Sequence, residues 1–247
     1  MSDGDVLEGP VMRNVGIDGL LVSFGDRLSE PANRAAMAFR DALEREGPEG
    51  IEETSTSLVS TYLRFDPVHA DHGAMRRRLE EMLTARNWFE ATLPGSRRLW
   101  RIPTVFGTAL APQLDEAAAA AGMDPEAAIR SIAGARVRVQ TIGFAPGQPY
   151  LGQLPPDWDI PRQTQLTEKV PAGALGLAIR QMVLFSVPTP TGWRHVGQTA
   201  FPLFRPATDA PFVLRPGDEV RFDPVSPETL ERMKGDADGG AVSEILT

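Results

Sequence analysis

The sequence of 247 residues contains no cysteine. This absence excludes disulfide scaffolds, thiol nucleophiles, iron–sulfur clusters and thiolate zinc sites, because each of them needs a sulfur atom. A surplus of positive charge is also missing, since 25 lysines and arginines stand against 33 aspartates and glutamates, for a formal net charge of −8. Such a chain repels phosphate backbones and anionic lipid surfaces. We therefore expect neither a nucleic-acid partner nor a membrane partner.

The sequence also lacks a long apolar run and the features of an amino-terminal targeting segment. No stretch reaches the roughly 18 consecutive apolar residues of a membrane span, and residues 1–10 hold neither a cationic nor an apolar segment. We therefore expect a cytoplasmic protein. The motifs G-x-x-x-x-G-K-[ST], H-E-x-x-H, G-x-S-x-G and G-x-G-x-x-G are absent as well. The sequence thus predicts no metal site and no cofactor built into the chain.

The first 92 residues have the pattern of a small α+β domain. Residues 15–24 are apolar and β-branched and predict one strand, after which Ser29 is placed to cap a helix. Alternating residues over 58–65 predict a second strand, and an apolar stripe over 75–82 predicts a second helix. We therefore expect an α+β domain over residues 1–92.

Residues 93–98 are turn-forming and predict a linker, after which the sequence pattern changes. Two helices are expected at about 112–121 and 124–132, the second of them capped by Asp124. Polar and apolar residues then alternate over 136–141, which predicts a strand with one solvent-exposed face.

Proline is concentrated in the rest of the chain, where 13 of the 22 prolines fall between residues 142 and 224. Short apolar runs separated by proline and glycine favour a β-barrel or sandwich over βαβ units. We expect this second domain over residues 98–230 and a flexible tail over 231–247.

Two clusters of metal-ligand residue types have ordinary structural explanations. His69 and His72 lie beside aspartates, but Asp71 sits where a strand gives way to a helix and suits the role of a helix cap. Asp236 and Asp238 resemble the start of a calcium loop whose later ligand positions are missing. Neither cluster predicts a metal site.

The segment GFAPGQPYLGQLP, residues 143–155, has three glycines and three prolines within 13 positions. This composition holds Phe144 and Tyr150 on a fixed, irregular backbone. Two interpretations remain open: a loop where a ligand meets backbone N–H groups, and a barrel corner filled by aromatic side chains.

Five motifs, in this order, resemble the KipI family, also called the 5-oxoprolinase B subunit or allophanate hydrolase subunit 1 family. They are GFAPGQPYLGQLP, Ile160-Pro161-Arg162, VPAG, TGWRHVGQTAFPLF and RPGDEVRF. The resemblance implies an α+β N-terminal domain followed by a cyclophilin-like β-barrel domain. It also implies pairing with a KipA-like chain, the C subunit, and a further chain, the A subunit, that completes an ATP-dependent 5-oxoproline hydrolase. Related domains form the carboxyltransferase part of urea carboxylase.

The resemblance also implies a candidate site. The expected catalytic residues are Arg162 for anionic oxygens, Gln181 for an amide or carboxylate, and His195 as polar lining. The expected substrate- or nucleotide-binding residues are Gly143, Phe144, Pro146, Gly147, Tyr150 and Thr199. ATP, with or without magnesium, is the expected cofactor, because phosphorylation of the amide oxygen makes a stable lactam carbonyl electrophilic.

The chain departs from the family pattern at several positions. Gln148 stands in place of an aromatic residue, Gln113 in place of an aspartate, Ile132 in place of a histidine, and segment 174–187 lacks a glycine pair. These departures leave open whether the chain is an enzyme. One alternative is a non-catalytic regulatory or scaffolding partner, such as a KipI-like kinase inhibitor. Another is the same fold acting on another amide, urea or specialised metabolite.

Overall fold

The computed structural model describes residues 9–93, 95 and 97–246. The chain divides into two compact units, residues 1–95 and 96–247. The acidic start at residues 1–8, positions 94 and 96 of the expected linker and Thr247 lie outside the described residues. Within the described ranges, no helix is long and apolar enough to cross a membrane.

The first unit is a four-stranded antiparallel sheet with two helices. Its strands have the spatial order β1-β2-β4-β3. The elements are β1 (Val11–Val15), β2 (Gly19–Ser23), α1 (Glu30–Glu46), β3 (Ile51–Ser57), β4 (Ser60–Phe65) and α2 (His72–Thr84), followed by a short 3-10 turn (Trp88–Glu90). One apolar cluster joins the inner faces of β2, β4 and both helices.

Both helices of the first unit begin where the sequence predicts. The Ser29 hydroxyl accepts a hydrogen bond from the Ala32 N–H at 3.4 Å, and the Asp71 carboxylate accepts one from the Ala74 N–H at 2.6 Å. The prediction of one strand over 15–24 is wrong. Gly16 has a positive φ of 68°, which turns the chain so that β1 and β2 form a hairpin.

The second unit contains a closed barrel of seven strands in the order β12-β9-β10-β7-β6-β13-β5, which closes through pairing of β12 with β5. Strands β13 and β5 run parallel, whereas the other barrel pairs are antiparallel. The second unit as a whole, with the strands outside the barrel included, has the strands β5 (Arg98–Phe106), β6 (Val137–Ile142), β7 (Pro149–Gly152), β8 (Thr167–Val170), β9 (Ala174–Ala178), β10 (Gln181–Leu184), β11 (Thr189–Thr191), β12 (Arg194–Thr199), β13 (Glu219–Pro224) and β14 (Val242–Ile245). Strands β8 and β11 form a separate pair.

Helices α3 (Leu114–Ala120) and α4 (Pro125–Gly134) pack on the barrel, and α5 (Pro227–Met233) follows β13. Asp124 caps α4 by accepting from the Ala127 N–H at 2.7 Å, as predicted. Ile132 is fully buried in the same apolar cluster as the barrel residues. Helix α4 therefore contributes to the core at this position.

Two expectations about the second unit differ from the structure. The alternation over 136–141 predicts a wet face, but β6 is buried on both faces because its polar side chains find partners: Gln140, for example, accepts from Gln181. The prediction of a flexible tail over 231–247 is also wrong. This segment ends α5 and forms β14, which pairs along Arg98–Arg101 of β5 through its backbone while its own side chains stay exposed.

Candidate functional site

A cleft of about 670 Å³ lies beside β12 in the second unit. Four separate segments line it: the 109–112 segment before α3, the end of β8 with the turn into β9, the end of β12 with the residues after it, and helix α5. Most of the lining is alanine, proline and leucine. The polar lining residues are Lys169, His195, Gln198, Thr199, Glu231 and Lys234.

His195 is the most buried ionisable side chain of this lining, with 5% of its surface exposed. Its Nε2 atom is buried and makes no hydrogen bond of good geometry within the described residues, although the ring lies within hydrogen-bonding reach of the Gly197 backbone and the Gln198 side chain. Burial lowers the pKa of His195 below its ordinary value of 6.5, and the opposing effect of the nearby Gly197 backbone and Gln198 side chain is smaller. The imidazole is therefore neutral at pH 7.

Gln198 contributes a second buried polar atom beside the cleft. Its Nε2 group donates to the carbonyls of Ala172 at 2.9 Å and Thr199 at 3.0 Å, which leaves a buried Oε1 without a partner in the described part of the chain. Buried polar atoms of this kind are rare in folded proteins, because an unmade hydrogen bond costs free energy. Both atoms are shielded from solvent, so they lie within the wall of the cleft and do not face its open space.

Thr199 lies in the same cleft but its hydroxyl is already used. It donates to the Gly173 carbonyl at 3.2 Å and accepts from the Phe201 N–H at 3.4 Å. Gly173 itself has a φ of 79°, and a side chain there would lie 2.4 Å from the Thr199 carbonyl oxygen. Thr199 therefore shapes the wall of the cleft where β12 meets the turn before β9.

Gln113 holds β12 in place behind the cleft. Its Oε1 accepts from the His195 N–H at 2.9 Å, and its own N–H donates to the His195 carbonyl at 3.1 Å. Its Nε2 donates to Gln163 at 2.7 Å, and Gln163 donates to the Trp193 carbonyl at 3.2 Å. Gln113 thus fixes the backbone of β12 at His195.

The structure does not bring Arg162 to the cleft. Its exposed guanidinium lies over the Trp193 ring, 5.4 Å from the centroid, and the Tyr150 ring meets the same indole edge-on at 6.3 Å. The three residues form one stack on the barrel, and none of them lines the cleft.

Gln181 is also placed elsewhere. It begins β10, is buried, and donates from Nε2 to Gln140 Oε1 at 2.9 Å. Arg162, Gln181 and His195, the three expected catalytic residues, therefore have three different surroundings. Of the predicted site residues, the cleft contains His195 and Thr199.

The loop between β6 and β7 is a tight hairpin. The Gly143 N–H donates to the Gln148 carbonyl at 3.0 Å, and Phe144 has a φ of 71° and a ring that is 76% exposed. Gly147 also has a φ of 71°, and a side chain there would lie 2.5 Å from the Leu203 carbonyl oxygen. The structure thus makes Gly143, Phe144, Pro146 and Gly147 part of a barrel turn outside the cleft lining.

Sequence reasoning missed Lys169, Gln198, Glu231 and Lys234. Lys169 directly precedes the VPAG motif and Gln198 lies inside the TGWRHVGQTAFPLF motif, so the motifs marked the right neighbourhood. The two α5 residues come from a segment that carries no motif. Only the folded chain brings α5 to the end of β12.

The fold and the cleft define a class of protein: an α+β domain followed by a cyclophilin-like β-barrel domain. Residues 10–214 match the family model "Carboxyltransferase domain, subdomain C and D". The chain therefore belongs to this family, and within it to the KipI-like group of the 5-oxoprolinase B subunits.

The similar proteins include the 5-oxoprolinase B subunit of Escherichia coli O157:H7, which is 37% identical over 148 residues, 59% of this chain and 68% of that protein. The corresponding B subunit of Bacillus subtilis (strain 168) is 28% identical over 233 residues, 90% of this chain and 96% of that protein. A crystal structure of TTHA0988 superposes with a TM-score of 0.71 at 31% identity, covering 85% of this chain. The chain spans 40% of the length of TTHA0988.

Proposed function

We propose that this chain is one component of a heteromeric, ATP-dependent 5-oxoprolinase-like hydrolase that opens a cyclic amide. In this proposal it pairs with a KipA-like C subunit, and an A subunit completes the enzyme. The observation that carries the proposal is the likeness to a 5-oxoprolinase B subunit across 96% of that protein's length. The cleft supports it, because its apolar walls and few polar groups are typical of small-molecule sites.

The cleft suits a lactam. The cleft is of a size that holds a small cyclic amide, and its apolar walls are joined by the charged side chains of Lys169, Glu231 and Lys234. ATP supplies the chemistry that activates the amide oxygen. The part of this chain is to hold the ring in one orientation and to keep bulk water away from it, which converts binding free energy into positioning.

The test is ADP release by this chain co-expressed with its KipA-like partner and supplemented with the A subunit, with and without 5-oxoproline. We expect ADP release that depends on 5-oxoproline and on the presence of this chain. A complex that releases ADP with another amide or with urea, and not with 5-oxoproline, would keep the fold-based assignment and change the substrate. A complete complex without any stimulated release would contradict the proposal.

A second function, that of a non-catalytic regulatory or scaffolding partner, is favoured by two observations. The expected catalytic residues Arg162, Gln181 and His195 do not converge, and Ile132 fills a core position where the family has a histidine. A stable complex in which the chain raises no activity and binds no lactam would support this second function.

A further inference from the structure

The exposed aromatic residues of the chain lie in two loops of the barrel unit. The chain has 11 phenylalanines, 4 tryptophans and 2 tyrosines, all of them within the described ranges. Among these residues only Phe144 and Phe212 are exposed, with 76% and 50% of their surface accessible to solvent, and the others are buried or half-buried. Phe144 lies in the β6–β7 hairpin, and Phe212 lies in the loop between β12 and β13.

The two loops lie side by side. A side chain on Gly147 of the hairpin would lie 2.5 Å from the Leu203 carbonyl oxygen and 3.3 Å from the Phe204 Cβ atom. In the second loop, the rings of Phe204 and Phe212 stack with their centroids 5.3 Å apart, and the two residues form a backbone bridge. Phe144, the half-buried Phe204 and Phe212 therefore belong to one region of the surface, which we call the phenylalanine patch.

Folding alone does not explain the conformation of Phe144. Its φ of 71° lies in the left-handed region, which glycine adopts freely and which strains a bulky side chain. The hairpin fixes this conformation, because the Gly143 N–H donates to the Gln148 carbonyl at 3.0 Å and the Gln148 N–H donates to the Ala145 carbonyl at 3.1 Å. The result is a strained backbone that exposes an aromatic ring to solvent, and strain of this kind is concentrated at functional sites.

The patch has little charge of its own. Residues 143–148 contain no charged residue, and residues 202–213 contain two, Arg205 and Asp209. Arg205 is already paired with Asp238. The two loops are thus poor in charge for a chain in which 23% of the residues are charged, and they offer little to attract a phosphate backbone or a charged lipid surface. Aromatic residues in an area of low charge are typical of the centre of a protein–protein interface.

We infer that the phenylalanine patch is the surface through which this chain docks onto its partner subunit, with Phe144 filling an apolar pocket of that subunit. The inference rests on the proposed function for the identity of the partner, the KipA-like C subunit. The relatives favour a companion chain over a second copy of this one. The Bacillus subtilis relative is named as a subunit, and in TTHA0988 the matched region is 40% of a longer polypeptide, so that protein joins this fold to further chain.

The test is the affinity of the full chain for the KipA-like subunit, measured by calorimetric titration. Phe144→Gly removes the ring and leaves a residue that adopts a φ of 71° without strain, so the hairpin keeps its shape. We expect Phe144→Gly to weaken the complex at least about tenfold and Phe212→Ser at least about threefold, because central aromatic residues dominate the affinity of an interface. The melting temperature of the Phe144→Gly variant alone should be no lower than that of the wild type.

Ile179→Gly is the matched control. Ile179 is also exposed, at 45%, and also has a positive φ, of 46°. It precedes β10 beside Gly152 at the end of β7, whereas the hairpin precedes the start of β7. Because single exposed apolar residues are ordinary on protein surfaces, this variant should bind within about twofold of the wild type. Equal losses of affinity in Phe144→Gly and Ile179→Gly would overturn the inference.

Two further results would also overturn it. The first is unchanged affinity in both phenylalanine variants, or no binding of the wild-type chain to the KipA-like subunit. The second comes from sedimentation velocity of the chain alone. A wild-type dimer that Phe144→Gly dissociates would assign the patch to a second copy of this chain.

Failure of this inference and failure of the proposed function are distinguishable. Lactam-dependent ADP release by a complex whose affinity is the same in the phenylalanine variants would leave the proposed function standing and remove the inference. Weakened binding in Phe144→Gly, with no ADP release by the wild-type complex, would do the reverse.

Discussion

Two clusters of buried polar residues in the barrel unit have opposite hydrogen-bonding states. Asp218, with 2% of its surface exposed, accepts from the Arg98 guanidinium at 2.6 Å and from the backbone N–H groups of Arg98 and Arg215 at 3.0 and 3.1 Å. Arg98 also donates to the Val213 carbonyl at 2.7 Å. Beside the cleft, by contrast, neither His195 Nε2 nor Gln198 Oε1 makes a hydrogen bond of good geometry in the described part of the protein, and the polar groups nearest the ring are the Gln198 side chain and the Gly197 backbone.

The difference separates a structural role from a binding role. The Asp218 cluster ties the start of β5 to the turn before β13, and every partner belongs to the chain itself. The RPGDEVRF motif is therefore explained by folding. The His195 cluster is less completely bonded, and it borders the cleft, where a molecule from outside can bind.

The largest expected effect comes from breaking the complete cluster. Asp218→Ala removes the acceptor of four hydrogen bonds and leaves Arg98 partly buried without its carboxylate, so the free energy of unfolding should fall by about 3 kcal/mol or more. Urea denaturation measures this loss. Asp223→Ala removes the exposed partner of Arg101 at 2.9 Å and should cost less than about 1 kcal/mol. Equal losses in the two variants would contradict a structural role for the Asp218 cluster.

The next largest effect is expected from backbone strain in the β6–β7 hairpin, where the substitution Gly147→Ala changes no charge. Gly147→Ala places a side chain at a φ of 71° and 2.5 Å from the Leu203 carbonyl oxygen, so we expect a loss of about 2 kcal/mol or more. Gly122→Ala is the matched control, since Gly122 has a φ of 70° with open space around it. The Gly122→Ala variant should lose about 1 kcal/mol of unfolding free energy, which is the cost of the backbone strain alone. Similar melting temperatures for both variants would show that the contact with Leu203 is unimportant.

A smaller effect on the free energy of unfolding is expected at His195, and it depends on pH. The pKa of His195 is lowered by burial in the folded state, whereas the unfolded chain titrates near 6.5. Below that value the unfolded state binds a proton that the folded state resists, so stability falls as the pH falls. His195→Phe should match the wild-type free energy of unfolding within about 1 kcal/mol at pH 7.5 and should lose less than the wild type between about pH 7 and pH 5.

Urea unfolding of both proteins at several pH values provides this comparison. The pKa of His69 is raised by hydrogen bonding with Asp66. Because His69 is present in both proteins, its contribution to the pH dependence of stability cancels in the comparison. Parallel curves for the two proteins would mean that His195 is not buried as a neutral ring.

The smallest effect is expected at the stack outside the cleft. Arg162→Gln removes a cation over the Trp193 ring and should lower the free energy of unfolding by less than about 1 kcal/mol. Binding of 5-oxoproline in the cleft should remain as in the wild type. A loss of lactam affinity in this variant would place Arg162 in the site after all and would weaken the contrast between the cleft and the rest of the barrel.

The features that the sequence predicted correctly are determined by residues that lie close together in the chain. Ser29, Asp71 and Asp124 each cap a helix by bonding a backbone N–H three positions ahead, so local spacing is enough to find them. The hairpin of β1 and β2 was missed because a single glycine, Gly16, turns an otherwise continuous apolar run.

The site was predicted only in part, because it is assembled from distant segments. His195 and Thr199 lie on one strand that a motif marks, whereas Lys169 and Lys234 reach the cleft from elements 65 residues apart. Polar residues such as Gln181 presented another difficulty. A glutamine bonded to a second glutamine and a glutamine facing a ligand look alike in sequence, and only partner geometry distinguishes them.

The most direct test of the contrast between the two clusters is one paired measurement on His195→Phe, made in the complete complex. The free energy of unfolding of the chain is compared with its lactam-dependent ADP release, both at about pH 7.5, where the unfolded histidine is also neutral. We expect wild-type stability within about 1 kcal/mol, because Nε2 makes no hydrogen bond of good geometry within the described residues, together with loss of the 5-oxoproline-dependent release. Full turnover in the variant, or its failure to fold, would contradict the claim that His195 belongs to a ligand site.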